Sequence, residues 1–170
     1  SIIGPDLSHR RTLLDELLAA PAVDAAIMTV TEASERPRHR VAAQAYRYAS
    51  EIASDQSYRV IRFFSIILTW LWNRLYNGIE VSHLERVRAV SDNAEIVYVP
   101  CHRSHIDYLL LSYVLYHNGL ALPHIAAGIN LNLFLVGPLL RRAGAFFMRR
   151  SFKEDLLYKA VFDEYIHLLL

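Results

Sequence analysis

His102 and Asp107 stand five positions apart in the run Cys101-His102-Arg103-Ser104-His105-Ile106-Asp107-Tyr108. A carboxylate that reaches an imidazole accepts from one ring nitrogen, fixes the tautomer, and stabilises the imidazolium formed when the other nitrogen takes a proton. General-base catalysis of this kind is worth ~10²–10⁴-fold. On one continuous helix five residues turn through about 140°, so the two side chains would not meet. They meet if His102 lies in a turn and Asp107 in the first turn of the helix that follows. Taken alone, the same run has a plainer reading: Ser104 at the N-cap and Asp107 three residues on form a capping box, the carboxylate satisfying backbone N–H groups. A Ser104 nucleophile lacks the glycine-flanked elbow of hydrolases. Only Asp107 is at hand to complete a metal site with His102, His105 and His117, so no metal is expected.

A second group lies about forty residues further on, in Gly144-Ala145-Phe146-Phe147-Met148-Arg149-Arg150, with Arg141, Arg142 and Lys153 nearby. Arginine forks bind phosphate bidentately, and the end of a strand can aim one at a site. Taken alone, these five basic residues read first as a solvated edge or a patch facing anionic lipid headgroups.

The elements that must hold these residues follow from periodicity. Leu13, Leu14, Leu17 and Leu18 mark an amphipathic segment that Asp6-Leu7-Ser8 can cap and Pro21 can end. Residues 40–77 contain no proline or glycine, and Gly78 supplies a stop; from Val60 onward nearly every face is apolar, which predicts a helix buried on several sides. A further helix is expected over residues 82–90. Then the period changes. Ile96-Val97-Tyr98-Val99 reads as a buried strand ended by Pro100, residues 107–117 as a helix, and residues 124–128 as a second strand. A segment interrupted at Gly137-Pro138 leads to a third strand at residues 145–149, and a helix closes the chain from Glu154. Strand and helix in alternation predict an α/β fold with a mainly parallel sheet, and ligands at the carboxyl ends of its strands. We expect a helical region over residues 1–92, of a kind that can touch a membrane, and an α/β region over residues 93–170.

Composition narrows the functional classes. The 170 residues carry 18 basic and 17 acidic side chains, a net charge of +1. Without a global basic field, a nucleic-acid partner is not expected. Residues 96–140 contain only two charges, Arg103 and Asp107, and both fall in the His102 run. The mean hydropathy of +0.19 points to unusual burial or contact with lipid. No run reaches the 18 or so apolar residues of a spanning helix. Cys101 is the single cysteine, so no internal disulfide forms. A start at Ser1 and an apolar finish at Ile166-His167-Leu168-Leu169-Leu170 lead us to expect an internal fragment.

Taken together, His102 with Asp107 and the later Gly144-to-Arg150 run resemble blocks I and II of the glycerolipid acyltransferases. The stretches YVPCHRSHIDYLLLSYVLYHNGL, PHIAAGINLN and GAFFMRRSFK are similar to the bacterial branch of that family acting on glycerol 3-phosphate, and IGPDLSHRRTLL, WNRLYNGIEV and ERVR fit it as well. The resemblance implies an enzyme that moves a fatty acyl group from acyl carrier protein or coenzyme A to the sn-1 hydroxyl of glycerol 3-phosphate, giving lysophosphatidic acid. His102 would be the base and Asp107 its support. Arg150, with Arg149, Phe147 and Gly144 around it and Arg103 and Ser104 beside His102, would bind substrate. Met148 stands where the family commonly has isoleucine. The resemblance further implies no cofactor, and a peripheral or monotopic place on the cytoplasmic face of the bacterial inner membrane. The family's third block, acidic and arginine-containing, and its proline-bearing fourth are not in this sequence and would follow Leu170, so independent activity of this piece is not expected. Two alternatives stay open: a dihydroxyacetone-phosphate acyltransferase, and a non-catalytic helical segment that binds membrane or a partner.

Overall fold

A computed structural model describes residues 10–75, 78–91, 94–101, 104, 106–152 and 154–170. His102, Arg103, His105, Lys153 and the proposed cap at Ser8 lie outside the described residues. The described residues form eight α-helices and two short strands: α1 Arg10–Ala19, α2 Pro21–Ser34, α3 Arg38–Ile52, α4 Tyr58–Leu75, α5 Leu84–Ser91, α6 Ile106–His117, β1 Ile125–Gly128, α7 Val136–Arg142, β2 Ala145–Met148 and α8 Leu156–Leu169. The architecture is α/β, mainly helical with one parallel pair of strands.

The largest core joins both ends of the chain. Leu13, Leu14 and Leu17 of α1, Val23 and Ile27 of α2, and Val41, Ala45 and Ile52 of α3 pack with Phe146 of β2 and Leu157, Val161 and Tyr165 of α8. Spacings of three and four put these residues on one stripe of each helix. Pro21 does not merely end α1: it occupies the first turn of α2, where its missing N–H goes unneeded. A second, smaller core gathers Ile61 of α4, Leu115 of α6, and Leu120 and Leu122 beyond it. A third lies under the sheet, with Ala127, Ala145 and Phe147.

β1 and β2 run parallel, Ile125 opposite Ala145 and Gly128 opposite Met148. A short 3₁₀ turn, Ile129–Leu131, and α7 make the crossover that parallel pairing requires. Gly137 and Pro138 begin α7 rather than interrupting it, because a proline in the first turn forfeits no helical hydrogen bond.

Three expectations fail. Residues 96–99 form no strand: Val97 is 76% and Val99 87% exposed, and no strand pairs with them. Branched side chains favour extended backbone, but a strand exists only against a neighbour that takes its hydrogen bonds. The uninterrupted stretch of residues 40–77 divides into α3 and α4, because tertiary bonds replace helical ones over residues 53–57. Arg141 donates to the Ala53 and Glu51 carbonyls, Asp55 N–H to the Arg141 carbonyl at 3.1 Å, and Ser57 N–H to that of Arg142 at 2.9 Å. Nor is α4 buried on several sides. Ile61, Leu68 and Trp72 face inward, while Phe63, Ile66, Ile67 and Trp70 are exposed.

Candidate active site

Asp107 sits in the first turn of α6. Its Oδ2 accepts the Ser104 backbone N–H at 2.8 Å, and its own N–H donates to the Ser104 carbonyl at 3.2 Å. Here is the carboxylate half of a capping box, with a negative charge at the positive end of the helix dipole. Capping and catalytic support are compatible, because a carboxylate has two oxygens and about four acceptor positions. The cap orients Asp107 at the start of α6. Cys101 is a free, exposed thiol. His117, at the far end of α6, turns Nε2 to Ser65 Oγ of α4 at 3.0 Å.

Gly144 to Arg150 form the second half. Gly144 has φ 103°, a conformation that side chains resist, and a Cβ there would come within 2.9 Å of Gln56 Nε2. This turn delivers the chain into β2. Phe147 is fully buried beneath the Arg141 guanidinium, 4.6 Å from ring centroid to Cζ. Arg150, just past the strand, is exposed.

The five basic residues do not act as one cluster. Arg141 is buried and seals the carboxyl end of α3, where unpaired carbonyls concentrate negative charge. Burial lowers its pKa. Arg149 is also turned inward: Nε and Nη2 donate to Glu51 Oε1 and Oε2 at 2.7 and 2.8 Å. Its Cζ lies 4.8 Å from the Tyr48 ring centroid and 4.7 Å from that of Tyr158. The hydrogen bonds that Arg149 donates to Glu51 push its pKa up. Among the described members, Arg142 and Arg150 remain solvent-facing.

Gly144, Phe147, Arg149 and Arg150 are therefore gathered at β2, and Ser104 and Asp107 at the start of α6. No hydrogen bond or ion pair among the described residues joins the two groups. The sheet itself rests on a buried polar chain. Ser54 N–H donates to Tyr165 Oη at 3.1 Å, Tyr165 O–H to Ser54 Oγ at 3.1 Å, and Ser54 Oγ lies 3.0 Å from His124 Nδ1. Burial lowers the His124 pKa, which favours the neutral imidazole. Glu51, Arg141 and His124 were not legible as supports, because their partners lie 70 to 98 positions away in the chain.

Residues 78–170 match the model of the acyltransferase family, so the match takes in both Asp107 and Arg150. The chain belongs to that family. Among acyltransferases it is 61% identical over 169 residues to a protein of Pseudomonas paraeruginosa strain PA7 named glycerol-3-phosphate acyltransferase, an alignment covering 99% of this chain and 20% of that one. A Pseudomonas putida KT2440 protein of the same name is 57% identical over the same shares. The chain thus spans about a fifth of the length of the curated relatives it matches. That fraction agrees with the expectation of a fragment.

Proposed function

We propose that this chain is part of an enzyme that transfers a fatty acyl group from a thioester to the sn-1 hydroxyl of glycerol 3-phosphate. The observation that carries the reading is the likeness to glycerol-3-phosphate acyltransferases, 61% over 169 residues, with the His102–Asp107 and Arg150 runs inside it. His102 takes the hydroxyl proton as the oxygen attacks the thioester carbonyl. A tetrahedral oxyanion forms and collapses, breaking the carbon–sulfur bond. The proton passes from His102 to the departing thiolate, so no charge or atom is left over and no acyl-enzyme is needed. Asp107, oriented by the Ser104 cap, holds the imidazole and offsets its transient positive charge. Arg150 is the exposed cation for the substrate phosphate, with Arg103 beside the base. The thiol carrier is acyl carrier protein or coenzyme A, and the product is lysophosphatidic acid.

The acyl chain and product are lipids, which fits docking on the cytoplasmic face of a bacterial inner membrane. Among the described residues no helix is long and apolar enough to cross a membrane. Instead α4 presents Phe63, Ile66, Ile67 and Trp70 to solvent, with exposed Arg59, Arg62 and Arg74 toward its ends and no acidic residue. An aromatic and aliphatic face bounded by arginines suits an interfacial helix on anionic lipid.

The test is acylation by the intact protein containing this chain, with glycerol 3-phosphate and dihydroxyacetone phosphate offered side by side. We expect sn-1 acylation of glycerol 3-phosphate with at least ~10-fold higher kcat/KM. Preference for dihydroxyacetone phosphate would transfer the chain to the alternative reading, and transfer to neither would remove the enzymatic one.

A further inference from the structure

Glu51 lies in the last turn of α3, 98 positions before Arg149, and belongs to none of the runs that suggest catalysis. Its carboxylate takes both forks of the Arg149 guanidinium, at 2.7 and 2.8 Å. That planar pair packs against Tyr48 and Tyr158, whose rings meet edge-on at 5.2 Å. Each tyrosine is itself tied down. Tyr48 O–H donates to Asp155 Oδ2 at 2.7 Å and Gln44 donates to Tyr48 Oη at 2.6 Å. Tyr158 N–H donates to Asp155 Oδ1 at 3.0 Å, and Tyr158 Oη accepts the Arg149 backbone N–H at 3.2 Å. Arg149 is thereby held at main chain and side chain together. The α3 terminus is held just as firmly, since Arg141 donates to the Glu51 carbonyl at 2.9 Å.

The next residue is Arg150. Its Cα lies about 3.8 Å from that of Arg149, so fixing Arg149 leaves Arg150 only its own backbone and side-chain rotations. We propose that Glu51 is a positioning residue for glycerol 3-phosphate: by locking Arg149 against Tyr48 and Tyr158 it sets the backbone from which Arg150 reaches the phosphate. The Glu51–Arg149 pair neutralises itself, so among the described residues at this strand end the phosphate meets Arg150 as the net cation. This inference rests on the proposed reading of Arg150 as a phosphate ligand.

Steady-state kinetics of the intact protein test it with Glu51→Gln, Arg150→Ala and the double variant, varying each substrate in turn. Glutamine keeps the shape and removes the charge that grips both forks. We expect Glu51→Gln to raise KM for glycerol 3-phosphate about 10-fold while KM for the acyl thioester stays within about twofold. A loss of folded protein would lower Vmax and leave both KM values where they were. Because Glu51 acts through Arg150, the double variant should be no worse than Arg150→Ala alone. An unchanged or lowered KM in Glu51→Gln, or effects that add in the double variant, overturns the positioning role while Arg150→Ala still raises KM. If Arg150→Ala leaves KM untouched, the phosphate reading itself falls and takes this inference with it.

Discussion

His124 shows how a single buried side chain carries a pH signature. Its Nδ1 lies 3.0 Å from Ser54 Oγ, and Ser54 in turn accepts from Tyr165. Burial lowers its pKa from the ordinary 6.5, so the unfolded chain binds a proton more readily than the folded one. The stabilising effect is complete above about pH 6.5 and is lost as pH falls toward the folded value. We expect denaturant midpoints of the native protein to drop between pH 7 and pH 5 more steeply than those of His124→Asn. Parallel slopes in the two proteins would show that His124 does not titrate in this window. At the same scale, the Asp107 carboxylate closes the α6 cap through Oδ2.

Among the elements, α3 and α4 show what a run without proline or glycine leaves undecided. Local propensity would continue the helix through residues 53–57, but the Arg141 guanidinium and the end of α7 offer these residues better partners. α4 then departs with one face packed on α6 and the other exposed. In the intact protein, Ile66→Asn with Trp70→Ala should weaken binding to vesicles rich in anionic lipid by ~10-fold or more, since burying one such side chain is worth about 1.5–3 kcal/mol. Unchanged co-sedimentation would assign this face to protein contacts instead. The helices were legible because apolar spacing and punctuation are local: α1, α6 and α8 lie within two or three residues of their expected places. Strands were legible only where both partners are present. β1 and β2 meet expectation, whereas residues 96–99, richer in branched side chains than either, have no paired neighbour among the described residues. Polar supports such as Glu51 and Arg141 were beyond reach, since nothing near them in sequence announces a partner 90 or more residues away.

Across the whole molecule, one core locks α1, α2 and α3 to β2 and α8, and thereby ties the N-terminal helices to the strand end that bears Arg149 and Arg150. The N-terminal helices are therefore part of the support for Arg150, the residue proposed to bind the phosphate. The resemblance to blocks I and II took in the site runs but not this scaffold, which depends on long-range packing. The central claim is that the run from Cys101 to Tyr108 performs acyl transfer, with His102 as the base. Turnover of glycerol 3-phosphate and an acyl thioester by the intact protein tests it directly when wild type is compared with His102→Ala. We expect kcat to fall by ~10²–10⁴-fold, the range of a lost general base, with vesicle binding unchanged. Wild-type turnover in His102→Ala would contradict the account.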